Sequence, residues 1–229
     1  MGSKLPPLTQ TLLSSLVADY PSSGPSPLLS ALQTLEPRAQ ITTLDPSSTD
    51  VLSTYYTLYI LALILTPDAD GGGLPEARSL THRIDSQLLH NDPLVISAYR
   101  VLQALWSKDY VIFHQTLQNA PWNDTTAVIA SEVLQTHRAA TLALLSTAYT
   151  SLPPSLAQNY LGISDQQRTV KTLTEENPQS GFWFNAEKGF LENSSGPGVS
   201  KGGIGKTGGW KKEGEIGRLA GLGGFLSDS

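Results

Sequence analysis

Signals that start and stop helices recur at short intervals along residues 47–149, and they limit the possible folds more than any other feature. The Ser and Thr residues at 47–49, together with Asp50, can cap a helix over residues 51–65, which ends before Pro67. The same kinds of signal predict four more helices, which begin at Pro75, Pro93, Lys108 and Thr125.

The apolar positions of these segments follow the helical period. In the helix that begins at Pro75, the residues on one face are Ala77, Leu80, Ile84 and Leu88. The helix that begins at Thr125 runs to Tyr149, and its second half is apolar on most faces. Because short loops between such helices favour antiparallel neighbours, residues 47–150 are predicted to form a helical-repeat array or bundle.

The N-terminal part, residues 1–46, is predicted to be a variable helical segment. Helices are expected over residues 5–20 and 27–36, with interruptions at Pro21, Pro25, Pro27 and Pro37. The longest apolar run, residues 58–65, is about eight residues long, whereas a membrane span needs roughly 20. The start of the chain shows neither a signal-peptide nor a myristoylation pattern, so an intracellular protein without a membrane partner is expected.

A different pattern follows Tyr149. A short helix is predicted to end at Leu161, with Gly162 as its left-handed C-terminal residue. Ser164 and Gln167 form a capping box for a second helix that reaches about Asn177. Two apolar runs, at 182–184 and 190–191, then flank a turn over 185–189. Two helices and a hairpin outline a winged helix over residues 151–191.

The C-terminal tail is rich in glycine: residues 178–229 hold fourteen of the twenty glycines. Residues 192–212 are predicted to be a disordered linker. Within residues 213–229, apolar side chains lie close to helical spacing, but glycines separate them, so we expect a helix only where it docks on a partner. The candidate contact residues are Ile216, Leu219, Leu222, Phe225 and Leu226.

Charge argues against nucleic acid as the main partner. The formal net charge is −5, and the excess of acidic residues lies within the first 177 positions. In the second winged-helix segment, Arg168 and Lys171 are outnumbered by Asp165, Glu175 and Glu176. A helix that enters a DNA groove normally carries a basic surplus, so a protein partner is the expectation.

Residue types that carry chemistry are scarce. The chain has no cysteine, its four histidines form no spaced ligand set, and no nucleophile-elbow motif occurs. Residues 201–207 fit a phosphate-binding loop, but no strand precedes them and no long helix can follow them. We therefore predict no catalytic residue, no metal, no cofactor and no small-molecule substrate, with nucleotide binding through Lys201–Thr207 as a remote alternative.

The aromatic residues are predicted to lie partly in the core and partly at the surface. The predicted core members are Trp106, Tyr110, Trp122, Tyr149 and Trp183. Phe182 and Phe184 are the candidate contact residues of the hairpin, because an exposed strand edge there can pair with the edge of another chain.

Several of these segments resemble a known family. Trp106, Asp109 and Tyr110, followed by the pair at 121–122, are similar to a motif of the subunit 8 family of the COP9 signalosome. Residues 143–151 resemble the segment that leads into the winged helix of that family, and residues 156–164 resemble its small helix. The small PCI subunit of the proteasome lid and subunit k of translation initiation factor 3 share the domain.

The resemblance implies a mainly α-helical PCI domain with helical repeats and a winged helix. It implies a non-catalytic scaffold in the cytoplasm and nucleus, whose partners are the other subunits of a large complex. The signalosome removes the ubiquitin-like modifier NEDD8 from cullin–RING ubiquitin ligases, and its metal site belongs to a different subunit. A scaffold role in the proteasome lid or the initiation factor is the alternative.

Overall fold

The computed structural model describes residues 7–42, 48–67 and 72–193. Helices dominate these residues, and a small antiparallel sheet lies near their C-terminal end, as predicted for the fold class. The helices are α1 (Gln10–Ala18), α2 (Tyr20–Ser23), α3 (Pro25–Ile41), α4 (Thr49–Leu65), α5 (Leu74–Thr81), α6 (Ser86–Asn91), α7 (Pro93–Trp106), α8 (Tyr110–Asn119), α9 (Asp124–Ala148), α10 (Pro154–Leu161) and α11 (Gln166–Lys171).

Helix α4 forms the centre of the helical body. Every residue from Leu52 to Leu63 is buried, as expected for a helix that is apolar on nearly all faces. Helices α3, α7 and α9 pack around it. The Tyr55 hydroxyl donates to the Leu32 carbonyl of α3 at 2.9 Å, so the N-terminal helices share the core of the repeats.

Proline does not end α3, contrary to the prediction. Pro37 lies inside this helix, which continues to Ile41. Leu35 before the proline and Ala39 after it are both buried in the main core. Burial of the apolar face on both sides offsets the backbone hydrogen bond that proline cannot donate.

Aspartate caps divide one predicted helix into two and move the start of another. The single helix expected from Pro75 through Leu88 is divided into α5 and α6, because Asp85 accepts a hydrogen bond from the Gln87 amide at 2.7 Å and starts a new helix. Helix α8 begins at Tyr110 rather than Lys108, since Asp109 accepts from the Ile112 amide at 3.1 Å. Lys108 itself has a positive φ of 58°.

The segment after α9 folds as a winged helix. Its strands are β1 (Ser151–Leu152), β2 (Phe182–Asn185) and β3 (Phe190–Asn193), in the antiparallel order β1-β3-β2. The sequence predicted β2 and β3 but not β1, and β3 extends two residues past the predicted boundary at 191. Asp165 rather than Ser164 caps α11, which passes into a π-helical turn at Thr172–Glu176.

A second apolar core lies under the sheet. It is formed by residues of α9, α10, the π-helical turn after α11 and all three strands: Leu145, Leu152, Ala157, Leu161, Leu173, Phe182 and Leu191. Because Leu145 belongs to α9, the long helix contributes to the cores of both parts. No helix within residues 7–42, 48–67 and 72–193 is long and apolar enough to cross a membrane.

Candidate protein-interaction surface

Strand β2 lies at the edge of the three-stranded sheet. It pairs with β3 on one side, with Trp183 opposite Glu192 and Asn185 opposite Phe190. Within the part of the chain that the structure describes, no strand pairs with its other side. An edge strand of this kind presents backbone N–H and C=O groups that a strand of another chain can pair with.

The inner face of β2 is the face that Phe182 and Phe184 share. Phe182 was predicted to contact a partner, but it is only 5% exposed and belongs to the second core. It faces inwards because alternate residues of a strand point to opposite sides, and this side lies over the core that Leu173 and Leu191 also form. Phe184, two residues nearer the hairpin turn, is 37% exposed.

The outer face of the sheet carries exposed aromatic side chains. Trp183 was predicted to be in the core, but it is 47% exposed, because strand alternation places it opposite to the buried Phe182. Phe190 of β3 is 41% exposed on this same outer face, one diagonal position away across the pair of strands. Phe190 was not among the predicted contact residues, although the register of a hairpin that turns over 185–189 places it on the same face as Trp183.

Polar contacts fix the hairpin that presents these aromatic residues. The Asn185 carboxamide oxygen accepts from the amides of Glu187 and Lys188 at 3.2 and 3.3 Å. The Lys188 ammonium lies 2.8 Å from a carboxylate oxygen of Glu192, and this hydrogen bond lowers the pKa of the Glu192 carboxyl. The turn is therefore held by its own side chains, which leaves the aromatic residues presented on a preorganised element.

The other four aromatic residues that were predicted to be in the core differ in their burial and in their contacts. Trp106 is not in the core: it is 50% exposed at the last residue of α7, and its ring stacks on the Arg78 guanidinium at 5.0 Å. Trp122 packs against the main core, and its indole N–H donates to the Leu117 carbonyl at 2.9 Å. Tyr149 packs against the second core, and the Tyr110 ring contacts Tyr160 at 5.4 Å.

Side chains of α8 and α9 hold the carboxyl end of α10. The His114 Nε2 lies 2.9 Å from the Tyr160 carbonyl, and the Arg138 Nε donates to the Leu161 carbonyl at 2.8 Å. Gly162 ends α10 in the left-handed conformation, as predicted. These bonds satisfy carbonyls that a helix end leaves without partners, and they tie the winged helix to the helical body.

The histidines beside this junction are held in the neutral form. Burial lowers the pKa of His114, whose buried Nδ1 has no hydrogen-bond partner among the described residues. Burial and the neighbouring His114 lower the pKa of His137 to about 4. The described residues contain no group of three or more His, Cys, Asp or Glu side chains that could hold a metal ion.

Some predicted site residues lie outside the described residues. These are the phosphate-loop candidate at 201–207 and the tail positions Ile216, Leu219, Leu222, Phe225 and Leu226. Their assignments stay predictions, as does the contact role of Phe184.

Comparison with known proteins gives three matches. The sequence model of the CSN8/PSMD8/EIF3K family matches residues 51–180. A protein of Emericella nidulans named COP9 signalosome complex subunit 8 is 26% identical over 188 residues, which cover 82% of this chain and 84% of the relative. A Dictyostelium discoideum protein of the same name is 23% identical over 133 residues, which cover 58% of this chain and 64% of that relative.

Proposed function

The chain belongs to the CSN8/PSMD8/EIF3K family, and from this membership we propose that it is a non-catalytic scaffold subunit of the COP9 signalosome. Both relatives described above carry the name of signalosome subunit 8, which favours this complex over the proteasome lid and the initiation factor. Its partners are then the other PCI subunits of the assembly, in the cytoplasm and nucleus.

The structural observation that carries the proposal is the edge strand β2 with its exposed aromatic residues. Trp183 on the outer face and Phe184 near the hairpin turn are both more than a third exposed, beside a strand edge that is open within the described residues. Aromatic residues are enriched at the centres of protein interfaces, and backbone pairing at a strand edge gives the contact a defined direction. The surface suits side-by-side assembly of winged helices.

The part played by this chain in the reaction is architectural. In the proposed complex, another subunit holds the metal that hydrolyses the bond between NEDD8 and the cullin. This chain fixes the positions of its neighbours through the winged helix, and residues 213–229 supply a second contact as a helix. The acidic body and the paucity of basic residues in the winged helix agree with a protein partner rather than nucleic acid.

The test is affinity purification of the full chain from native extract. The tag is placed at the N-terminus so that residues 213–229 stay free, and the partners are identified by mass spectrometry. We expect the other signalosome subunits, together with cullin deneddylase activity in the eluate. Recovery of proteasome-lid or initiation-factor subunits would assign the scaffold to that complex instead, and recovery of the chain alone would refute the scaffold role.

A variant pair connects the result to the proposed surface. Trp183→Ser and Phe190→Ser together remove the outer aromatic face, and we expect them to reduce the recovery of partners strongly. The matched control is Val128→Ser, which removes a side chain that is also exposed but lies on α9. Equal recovery with the double variant and the control would exclude the outer face as a contact.

A further inference from the structure

Two arginines line one groove between the helical body and the winged helix. Arg138 projects from α9 and Arg168 from α11, and the groove has a volume of about 550 Å³. Gln118, Leu134, Ile163 and Thr172 also line it. This groove lies on different elements from the edge strand and aromatic face described above.

Arg138 is held by two hydrogen bonds, which occupy only part of its guanidinium. Its Nε and one terminal nitrogen donate to the carbonyls of Leu161 and Gly162 at 2.8 and 3.2 Å. A guanidinium has five N–H groups, so donors remain after these two bonds are made. The side chain is half-buried, which holds the remaining donors in a fixed direction at the groove wall.

The groove contains carboxylates, but neither neutralises the arginines. Asp165 accepts from the Gln167 amide at 2.9 Å, as the cap of α11, and Glu176 accepts from the Thr172 hydroxyl at 3.0 Å. Among the described residues, neither Arg138 nor Arg168 has an ion pair within 4.0 Å. Burial and the positive charge of Arg168 lower the pKa of Arg138, as expected for a partly buried cation beside a second cation.

We propose that this groove receives a carboxylate side chain from an acidic segment of a partner subunit; the identity of that partner rests on the function proposed above. Arginine binds carboxylates through paired, charge-assisted hydrogen bonds, and these are stronger at the half-buried Arg138 than in open solvent, whereas Arg168 lines the groove as an exposed side chain. The groove suits one or two carboxylates of a short acidic peptide rather than an extended polyanion such as nucleic acid, because Asp165 and Glu176 lie at its walls and the whole chain is acidic.

The first experiment uses the isolated full-length chain and a tetraglutamate peptide as the probe. The Nε–Hε signals of the arginines are followed by NMR during the titration, at low ionic strength. We expect saturable shifts at Arg138 and Arg168. The Arg168→Gln variant is expected to bind the peptide about tenfold more weakly, since a charge-assisted pair is lost.

Lys171→Gln is the matched control, because Lys171 lies on the same helix and is exposed but does not line the groove. We expect its affinity to stay within about twofold of wild type, as screening weakens charges that are not in contact. The proposal is overturned if Arg78 and Arg100 shift as much as the groove arginines, or if Arg168→Gln binds like wild type. It is also overturned if inorganic phosphate binds more tightly than the peptide.

The second experiment separates this proposal from the proposed function. Arg168→Glu and Lys171→Glu are compared with wild type in the purification from native extract, and partner recovery is quantified. Loss of subunits with Arg168→Glu alone supports the groove contact. If wild type and Arg168→Glu recover the signalosome equally, the groove contact is refuted and the scaffold role stands. If wild type recovers no subunits while tetraglutamate still binds at Arg138 and Arg168, the scaffold role fails and carboxylate recognition stands.

Discussion

The imidazole of His114 lies against Gly162 so closely that a Cβ at position 162 would come within 2.1 Å of its Cγ. Gly162 also has a φ of 62°, in the left-handed region that side chains with a Cβ disfavour. The Nε2–H of His114 donates to the carbonyl of Tyr160, the next-to-last residue of α10. Glycine is therefore required at this junction both for its backbone conformation and for the space that the imidazole occupies.

Replacing Gly162 with alanine is expected to destabilise the chain severely. The left-handed conformation costs an alanine roughly 1–2 kcal/mol, and the contact with His114 adds strain, so the free energy of unfolding should fall by about 3 kcal/mol or more. The measurement is chemical denaturation of the full chain, and failure to fold counts as the same result.

Gly189→Ala is the matched control for this prediction. Gly189 has a φ of 70°, but a Cβ there would meet nothing within 4 Å, so only the backbone cost of about 1 kcal/mol is expected. If both variants lose the same amount of unfolding free energy, the contact with His114 does not affect stability. Adding His114→Ala to Gly162→Ala is expected to recover part of the lost stability, because the two positions are in contact.

Acidification is expected to weaken the junction through His137. An unfolded histidine has a pKa of about 6.5, whereas that of folded His137 is about 4. Between these values the unfolded state binds more protons, so the contribution is complete above pH 6.5 and is lost as the pH falls towards 4. It amounts to about 3 kcal/mol, and His114 acts in the same direction.

The measurement is the free energy of unfolding at several pH values for wild type and His137→Gln. We expect the variant to lose less stability between pH 7 and pH 4, since glutamine cannot take up the proton. His90→Gln serves as the control for the loss of an imidazole elsewhere in the chain, because His90 is exposed on α6. Parallel curves for His137→Gln and wild type would contradict the prediction.

The fold was predictable where one local signal decides the structure. Apolar periodicity and caps located α4, α7 and α9, and Gly162 marked the end of α10. The prediction was wrong where tertiary burial overrides a local signal, as at Pro37 inside α3, or where two caps compete, as at Ser164 and Asp165. Strand β1 has only two residues and exists through its pairing with β3, which is distant in sequence.

The hairpin was predicted at the observed place, but the buried and exposed faces of β2 were exchanged. Three consecutive aromatic residues at 182–184 show no alternation of polar and apolar types, so the sequence does not reveal which side is buried. The buried side of β2 is determined by its pairing with β3 and by the core under the sheet. The arginine groove could not be predicted, because Arg138 and Arg168 are thirty positions apart and meet only when the winged helix docks on α9.

Trp106 and Trp122 of the helical body are expected to contribute differently to stability. Trp106→Ala removes a half-exposed ring and its contact with Arg78, at a cost of about 1 kcal/mol or less. Trp122→Ala removes packing against the main core and a hydrogen bond to the Leu117 carbonyl, at a cost of about 3 kcal/mol. Chemical denaturation of the two variants checks this prediction. A larger loss of unfolding free energy for Trp106→Ala than for Trp122→Ala would contradict it.

Adjacent residues of β2 are expected to separate stability from assembly. Phe182→Ala opens a cavity in the second core and should lower the free energy of unfolding by about 3 kcal/mol. Trp183→Ala changes an exposed position, so stability should stay within about 0.5 kcal/mol of wild type, while partner recovery falls. Denaturation and purification from extract are measured on the same two variants. If Trp183→Ala unfolds as readily as Phe182→Ala, or recovers partners like wild type, the outer face has no assembly role of its own.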